Sequence, residues 1–130
     1  TLGEQGKYPV AIDNIEVIDF SGIDKQNGDI CLTISDHLDW NDAEQKLEIL
    51  ASKLNAYIQF ITSGQVYEAH RDQEGSHVRV QVLCLHPPPK SVDGSLLSIR
   101  NQLASQHIGF EVKIGPFESG FTRPYDFTEA

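Results

Sequence analysis

Asp36-His37-Leu38-Asp39-Trp40-Asn41-Asp42 is the densest run of chemistry-bearing residues in the chain. Oxygen and nitrogen ligands from one short loop can converge on a divalent cation, and Asp36, His37 and Asp39, with Asp42 nearby, form such a set. An ion held there would activate water, so a metal-assisted hydrolase is one reading of the loop. The spacing matches no established metal motif, because the Gly and closing Glu of a calcium loop and any H-x-x-x-H are missing. The same acids have a plain structural use. Carboxylates at a helix amino end accept free N–H groups and complement the dipole, with Trp40 packed over the helix start.

The other candidates are thinner. Facing imidazoles of His70 and His77 on adjacent strands can share a metal or titrate together, but they sit by a loop tip with no third ligand in sequence reach. Cys31 and Cys84 lie in no C-x-x-C spacing. Cys84 alternates with Val78, Val80 and Val82 on a core face and reads as a small buried hydrophobe, while Cys31 points to the opposite face of its strand. No G-x-S-x-G, phosphate loop or G-x-G-x-x-G occurs, so no catalytic residue and no cofactor are assigned.

Periodicity supplies the elements that would position these groups. Ile15 to Asp24 and Ile30 to Ser35 read as a hairpin across Asn27-Gly28, a dipeptide suited to tight primed turns. Pairing Gln26 with Asp29 sets Ile23 opposite Leu32 and turns Ile30, Leu32 and Ile34 to one core face. Ala43, Leu47, Leu50, Leu54, Tyr57 and Ile61 recur at helical steps, which predicts a helix from about Asn41 to Ser63, capped by Asp39 or Asn41 and stopped by Gly64. A second hairpin is expected about Asp72 to Gly75, with Glu68 facing Arg79, His70 facing His77 and Tyr67 facing Val80. After Pro87-Pro88-Pro89, Leu96, Ile99, Leu103 and His107 predict a second helix that Gly109 stops, and Phe110, Val112 and Ile114 a last strand.

The expected fold is therefore an α+β two-layer sandwich: a mixed, mainly antiparallel sheet in the order β-β-α-β-β-α-β with two helices on one face. A chain of 130 residues forms one domain, its core at about residues 12–114. The tail over 115–130 holds Phe117, Phe121, Tyr125 and Phe127 among Gly and Pro breakers; it is expected to wrap its own domain, or else to form a homodimer contact.

Charge narrows the partners. The chain carries 19 acidic against 10 basic residues, and the stretch from Asp13 to Glu48 holds ten acids against Lys25 and Lys46. That surface repels phosphate backbones, so neither nucleic acid nor an anionic membrane is an expected partner. No run approaches the ~20 apolar residues of a membrane span, and no signal-peptide pattern opens the chain. With no Met at all, Thr1 reads as a trimmed start, and the cysteine usage suits a reducing, cytoplasmic setting. A basic protein is the expected partner, met by Asp36, Asp39, Trp40, Asp42 and Glu44. Such a protein resembles an immunity or antitoxin-like partner by analogy alone.

The run I-C-L-T-I-S-D-H-L-D-W from Ile30 to Trp40, the I-D-K-x-N-G turn from Ile23 to Gly28 and N-A-Y-I-x-F-I-x-S-G from Asn55 to Gly64 resemble a family of small uncharacterised bacterial proteins. The likeness covers about Ile15 to Ile114, and implies a cytoplasmic bacterial single domain of unknown function with no catalytic residues assigned.

Overall fold

The computed structural model describes residues 20–73, 75–116 and 120–128. Its elements are β1 (Phe20–Ile23), β2 (Ile30–Asp36), α1 (Ala43–Thr62), α2 (Gln65–Ala69), β3 (Val78–Cys84), α3 (Asp93–Ala104), β4 (Ile108–Ile114) and β5 (Arg123–Pro124), with short 3-10 turns at Arg71–Gln73 and Lys90–Val92. The sheet runs β1-β2-β3-β4-β5. β1 is antiparallel to β2 and β5 antiparallel to β4, while the long ladders β2–β3 and β3–β4 are parallel. Two successive crossovers between neighbouring parallel strands bring α1 and α3 to one face of the sheet, as two crossovers of the same hand do.

The strands obey that arrangement residue by residue. In β2, β3 and β4 every other side chain is buried and its neighbours are half-buried. Ile30, Leu32 and Ile34, with Val80, Val82, Val112 and Ile114, meet Leu50, Leu54 and Tyr57 of α1 and Leu96 and Leu103 of α3 in one core. Each such aliphatic side chain contributes roughly 1.5–3 kcal/mol on burial. Parallel strands covered on both faces read as unbroken apolar runs. Here the alternation marks a sheet whose second face, with Thr33, Arg79, Gln81, Leu83, Glu111 and Lys113, carries polar and charged groups.

The α+β two-layer architecture with a mixed sheet matches the sequence expectation, and four corrections sharpen it. The principal ladders are parallel, not antiparallel. The first hairpin pairs Ile23 with Ile30, two residues from the expected register, because Asp24 closes a wider loop: Asp24 N–H donates to Asp29 O, and Gly28 N–H to Asp24 O. A slip of two leaves every side chain on its expected face. Residues Ile15–Asp19 of the expected first strand lie outside the described residues.

The second hairpin is absent. Gly64, at φ 85°, turns the chain out of α1 and directly into α2. Val66 is the buried residue there and Ala69 is exposed, out of phase with the alternation that suggested a strand. β3 already has β2 on one side and β4 on the other, so no edge is left for a hairpin partner. The second helix also ends earlier than expected. His107, at φ 63°, makes the left-handed turn, and Gly109 lies within β4.

The described part of the tail covers its own domain. Arg123–Pro124 pair with β4, and Tyr125 N–H donates to Val112 O. The Tyr125 hydroxyl donates to Asp93 Oδ1 at 2.6 Å, and burial together with that carboxylate pushes the phenol up to about 12. Phe127 is buried, its ring centroid 5.9 Å from that of Phe110. Phe117 lies outside the described residues.

Candidate functional site

β2, β3 and β4 end together, and chain segments leaving the carboxyl ends of parallel strands are where α/β sheets most often place ligands. Asp36 closes β2. The parity that buries Ile30, Leu32 and Ile34 turns it inward, and it is 2% exposed. Its counter-ion is Lys46 on the first turns of α1, also 2% exposed, with Nζ 3.0 Å from Asp36 Oδ2. The same ammonium donates to Leu38 O at 2.7 Å and Asp39 O at 3.3 Å. Three donors thus meet three acceptors. It also lies 4.0 Å from the centroid of the Trp40 ring, a cation–π contact.

The carboxylate is equally well held. Asp36 Oδ1 accepts from Leu38 N–H at 3.1 Å, and the Cys84 thiol donates to Oδ2 at 3.6 Å. Burial pushes the Asp36 carboxyl above its ordinary value, while Lys46 pulls it back. Burial and the adjacent carboxylate push the Cys84 thiol up, which keeps it protonated and unreactive. Lys46 was not among the residues singled out from the sequence. It occupies the step before Leu50 on the buried stripe, and Lys53, also buried, repeats the pattern a heptad later.

The expected site residues therefore divide. Asp36 is interior and does not project to the surface as the sequence reading expected. His37, Asp39, Asp42 and Glu44 are exposed, and Trp40 is half-buried with Nε1 donating to His86 O at 3.0 Å. The helix cap is Asp42, not Asp39 or Asn41: its Oδ1 accepts from Gln45 N–H at 3.1 Å. Asp39 instead closes a local turn on Asn41 N–H. The metal set Asp36, His37 and Asp39 is not brought together, because Asp36 faces the core and its neighbour His37 faces solvent. Among the described residues no three His, Cys, Asp or Glu side chains are grouped to hold an ion.

At the opposite end of the sheet, on its open face, Arg79 is the centre. Its guanidinium reaches Asp24 Oδ2 at 2.8 Å, Asp29 Oδ2 at 3.3 Å and Glu111 Oε1 at 3.3 Å, in place of the expected Glu68. Gln26 N–H and Arg79 hold the Asp24 carboxyl below its ordinary value. Gly109 makes this possible: a Cβ there would stand 2.9 Å from the Arg79 Cβ. The two histidines do not face each other. His70 Nε2 lies 3.0 Å from Ser21 Oγ, and His77 Nδ1 lies 3.4 Å from Asp29 Oδ2. Cys31 shares this open face, its thiol pushed up by burial, and Cys84 the core face, as expected. A groove of about 340 Å³ between α1 and α3, lined by Leu54, Asn55, Ile58, Ile99 and Gln102, carries no titratable group.

These features define a small two-layer domain built on a β-α-β-α-β unit, with a rigid polar knot at the carboxyl end of its parallel strands and acids exposed around it. The chain belongs to DUF6572, a family of unknown function, which it matches over residues 10–116. The turn at Ile23–Gly28 and the run ending at Trp40 both fall within that match. Comparison with the curated proteins and with the solved structures gave no match. Among the described residues no helix is long and apolar enough to cross a membrane.

Proposed function

We propose that this chain is a non-catalytic binding domain that presents the exposed acids beside the amino end of α1 to a basic protein partner. One observation carries the reading. Asp39, Asp42, Glu44 and Glu48 are exposed, and among the described residues none of them takes part in an ion pair. The neighbouring cation, Lys46, is buried against Asp36 and cannot neutralise them. Acids at a helix amino end also favour the helix dipole, so the same residues stabilise α1 while projecting negative potential that steers a cationic partner.

The test is affinity capture from a bacterial lysate at low and high salt, comparing the native chain with a triple variant, Asp39→Lys, Glu44→Lys, Glu48→Lys. That variant leaves Asp36 and the Asp42 cap intact, so circular dichroism should remain native. Salt-sensitive capture of basic proteins, lost in the variant, is the expected result. Retention of the same proteins by the variant overturns the reading.

A further inference from the structure

Residues 123–127 form a strap that is seated on its own domain by a short ladder and three further contacts. β4 offers seven residues and the ladder takes two, Lys113 with Pro124 and Ile114 with Arg123; Pro124 has no N–H to give. Beyond the ladder, Tyr125 N–H donates to Val112 O at 2.8 Å and the Tyr125 hydroxyl donates to Asp93 Oδ1 at 2.6 Å. The buried Phe127 ring meets Phe110. These groups outline a slot in three parts: a strand edge on β4, a carboxylate at the start of α3 and an apolar seat against Phe110. The slot lies inside the family match, which ends at residue 116, and the strap lies beyond it. The seat is imperfect at Asp93. With the strap in place this residue is 8% exposed, yet its Oδ2 is buried with no hydrogen-bond partner among the described residues. A carboxylate oxygen withheld from water and left unpaired counts against the seated state, which narrows the gap between a seated and a released strap.

We infer that this slot is an exchange site: the strap leaves its own slot and seats in that of a second copy of the chain, which returns its own. The occupant is fixed by what is already seen seated. Tyr125 brings a phenol to the carboxylate and Phe127 a ring to the apolar seat, and a second copy carries the same two groups on the same segment. Exchange therefore keeps every contact the strap makes within its own chain, and the reciprocal pair closes on itself with two-fold symmetry. The inference is independent of the acidic surface, since the slot lies at the β4 edge and the acids lie beside α1.

A fluorescein-labelled peptide of residues 120–130 tests the slot by anisotropy with the full chain. The native chain's own strap competes, so the peptide's affinity is reduced by the fraction of slots that are open. Phe127→Ser in the chain vacates the slot and should tighten peptide binding at least roughly tenfold. Tyr125→Phe in the chain removes one hydrogen bond and keeps the ring. It should tighten binding by less, and it serves as the test should Phe127→Ser lose the native circular dichroism. A peptide carrying Phe127→Ser should not bind. Equal binding of the native peptide to the native and Tyr125→Phe chains, binding of the Phe127→Ser peptide, or no binding to any chain overturns the slot. Sedimentation tests the second copy. At about 1 mM, the effective concentration of a tethered segment, the native chain should form dimers that excess peptide returns to monomers. A native chain that stays monomeric, or dimers that the peptide leaves intact, overturns exchange.

Discussion

Two cations organise opposite ends of this sheet, and they do so by different physics. Lys46 is dry: one carboxylate, two backbone carbonyls and an indole face satisfy it completely. Arg79 is half-wet: three carboxylates surround it on the open face, with its side chain 22% exposed. Removing a charge pair from water costs several kcal/mol per ion, which the pair's attraction recovers only in good geometry. An exposed network costs little and contributes little, and salt screens it. The difference shows what each is for. The Arg79 network ties down the β1–β2 loop at small cost, whereas the Lys46 knot fixes the backbone of Leu38 and Asp39, the segment from which the candidate surface projects.

The sharpest way to break this comparison is to remove the buried cation. Lys46→Ala leaves Asp36 charged and unpaired in the core, and should cost about 3–5 kcal/mol in urea denaturation. Trp40, the chain's one tryptophan, reports on the same event: its emission should move to longer wavelength as the loop loosens. Replacing both partners, Asp36→Leu with Lys46→Met, should recover most of the stability, since a well-packed apolar pair of similar volume is as stable as a buried ion pair. If Lys46→Ala costs no more than removal of the Arg79 charge, the two ends are energetically alike and the contrast fails.

A smaller effect is expected at the open face. Arg79→Met keeps the aliphatic stem that packs over Gly109 and deletes only the charge, and should cost about 1 kcal/mol at low salt, shrinking as salt is added. The Lys46→Ala loss should not change with salt, because its partners are shielded from counter-ions. A salt-independent Arg79→Met loss would mean that this network is as dry as the buried pair.

These two regions also measure how far the sequence could be read. Strand parity was legible in β2 and β3 because the period-two pattern of Ile30, Leu32, Ile34 and Val78, Val80, Val82 is clean, and α1 because its stripe repeats at 3.6 residues. The first hairpin's register was not. Asn27-Gly28 promises a two-residue turn, but Asp24 accepts from Gln26 N–H through its side chain and closes a wider loop. The spurious second hairpin arose because Tyr67 and Ala69 alternate like a strand, while Gly64 permits a left-handed turn that resets the chain into α2. The candidate site was half-legible. Its acids were evident, but a stripe read for apolar residues passes over Lys46, so Asp36 looked like a surface group when it is the buried partner of a lysine ten residues later.

The subtlest prediction sets the two ends against each other by pH. Asp36 is raised from its ordinary value of 3.8, so the folded state holds its proton more tightly than the unfolded chain. Its contribution to stability is full below 3.8 and is lost as pH rises through its raised folded value. Asp24 is lowered from the same value, so its contribution is present above 3.8 and is lost as pH falls through its folded value below. Urea denaturation across that range, on wild type, Asp36→Asn and Asp24→Asn, separates them. The advantage of wild type over Asp36→Asn should fall with rising pH, and its advantage over Asp24→Asn should rise. Two differences that slope the same way would mean that burial does not govern Asp36, and the buried and open ends would then differ in exposure alone.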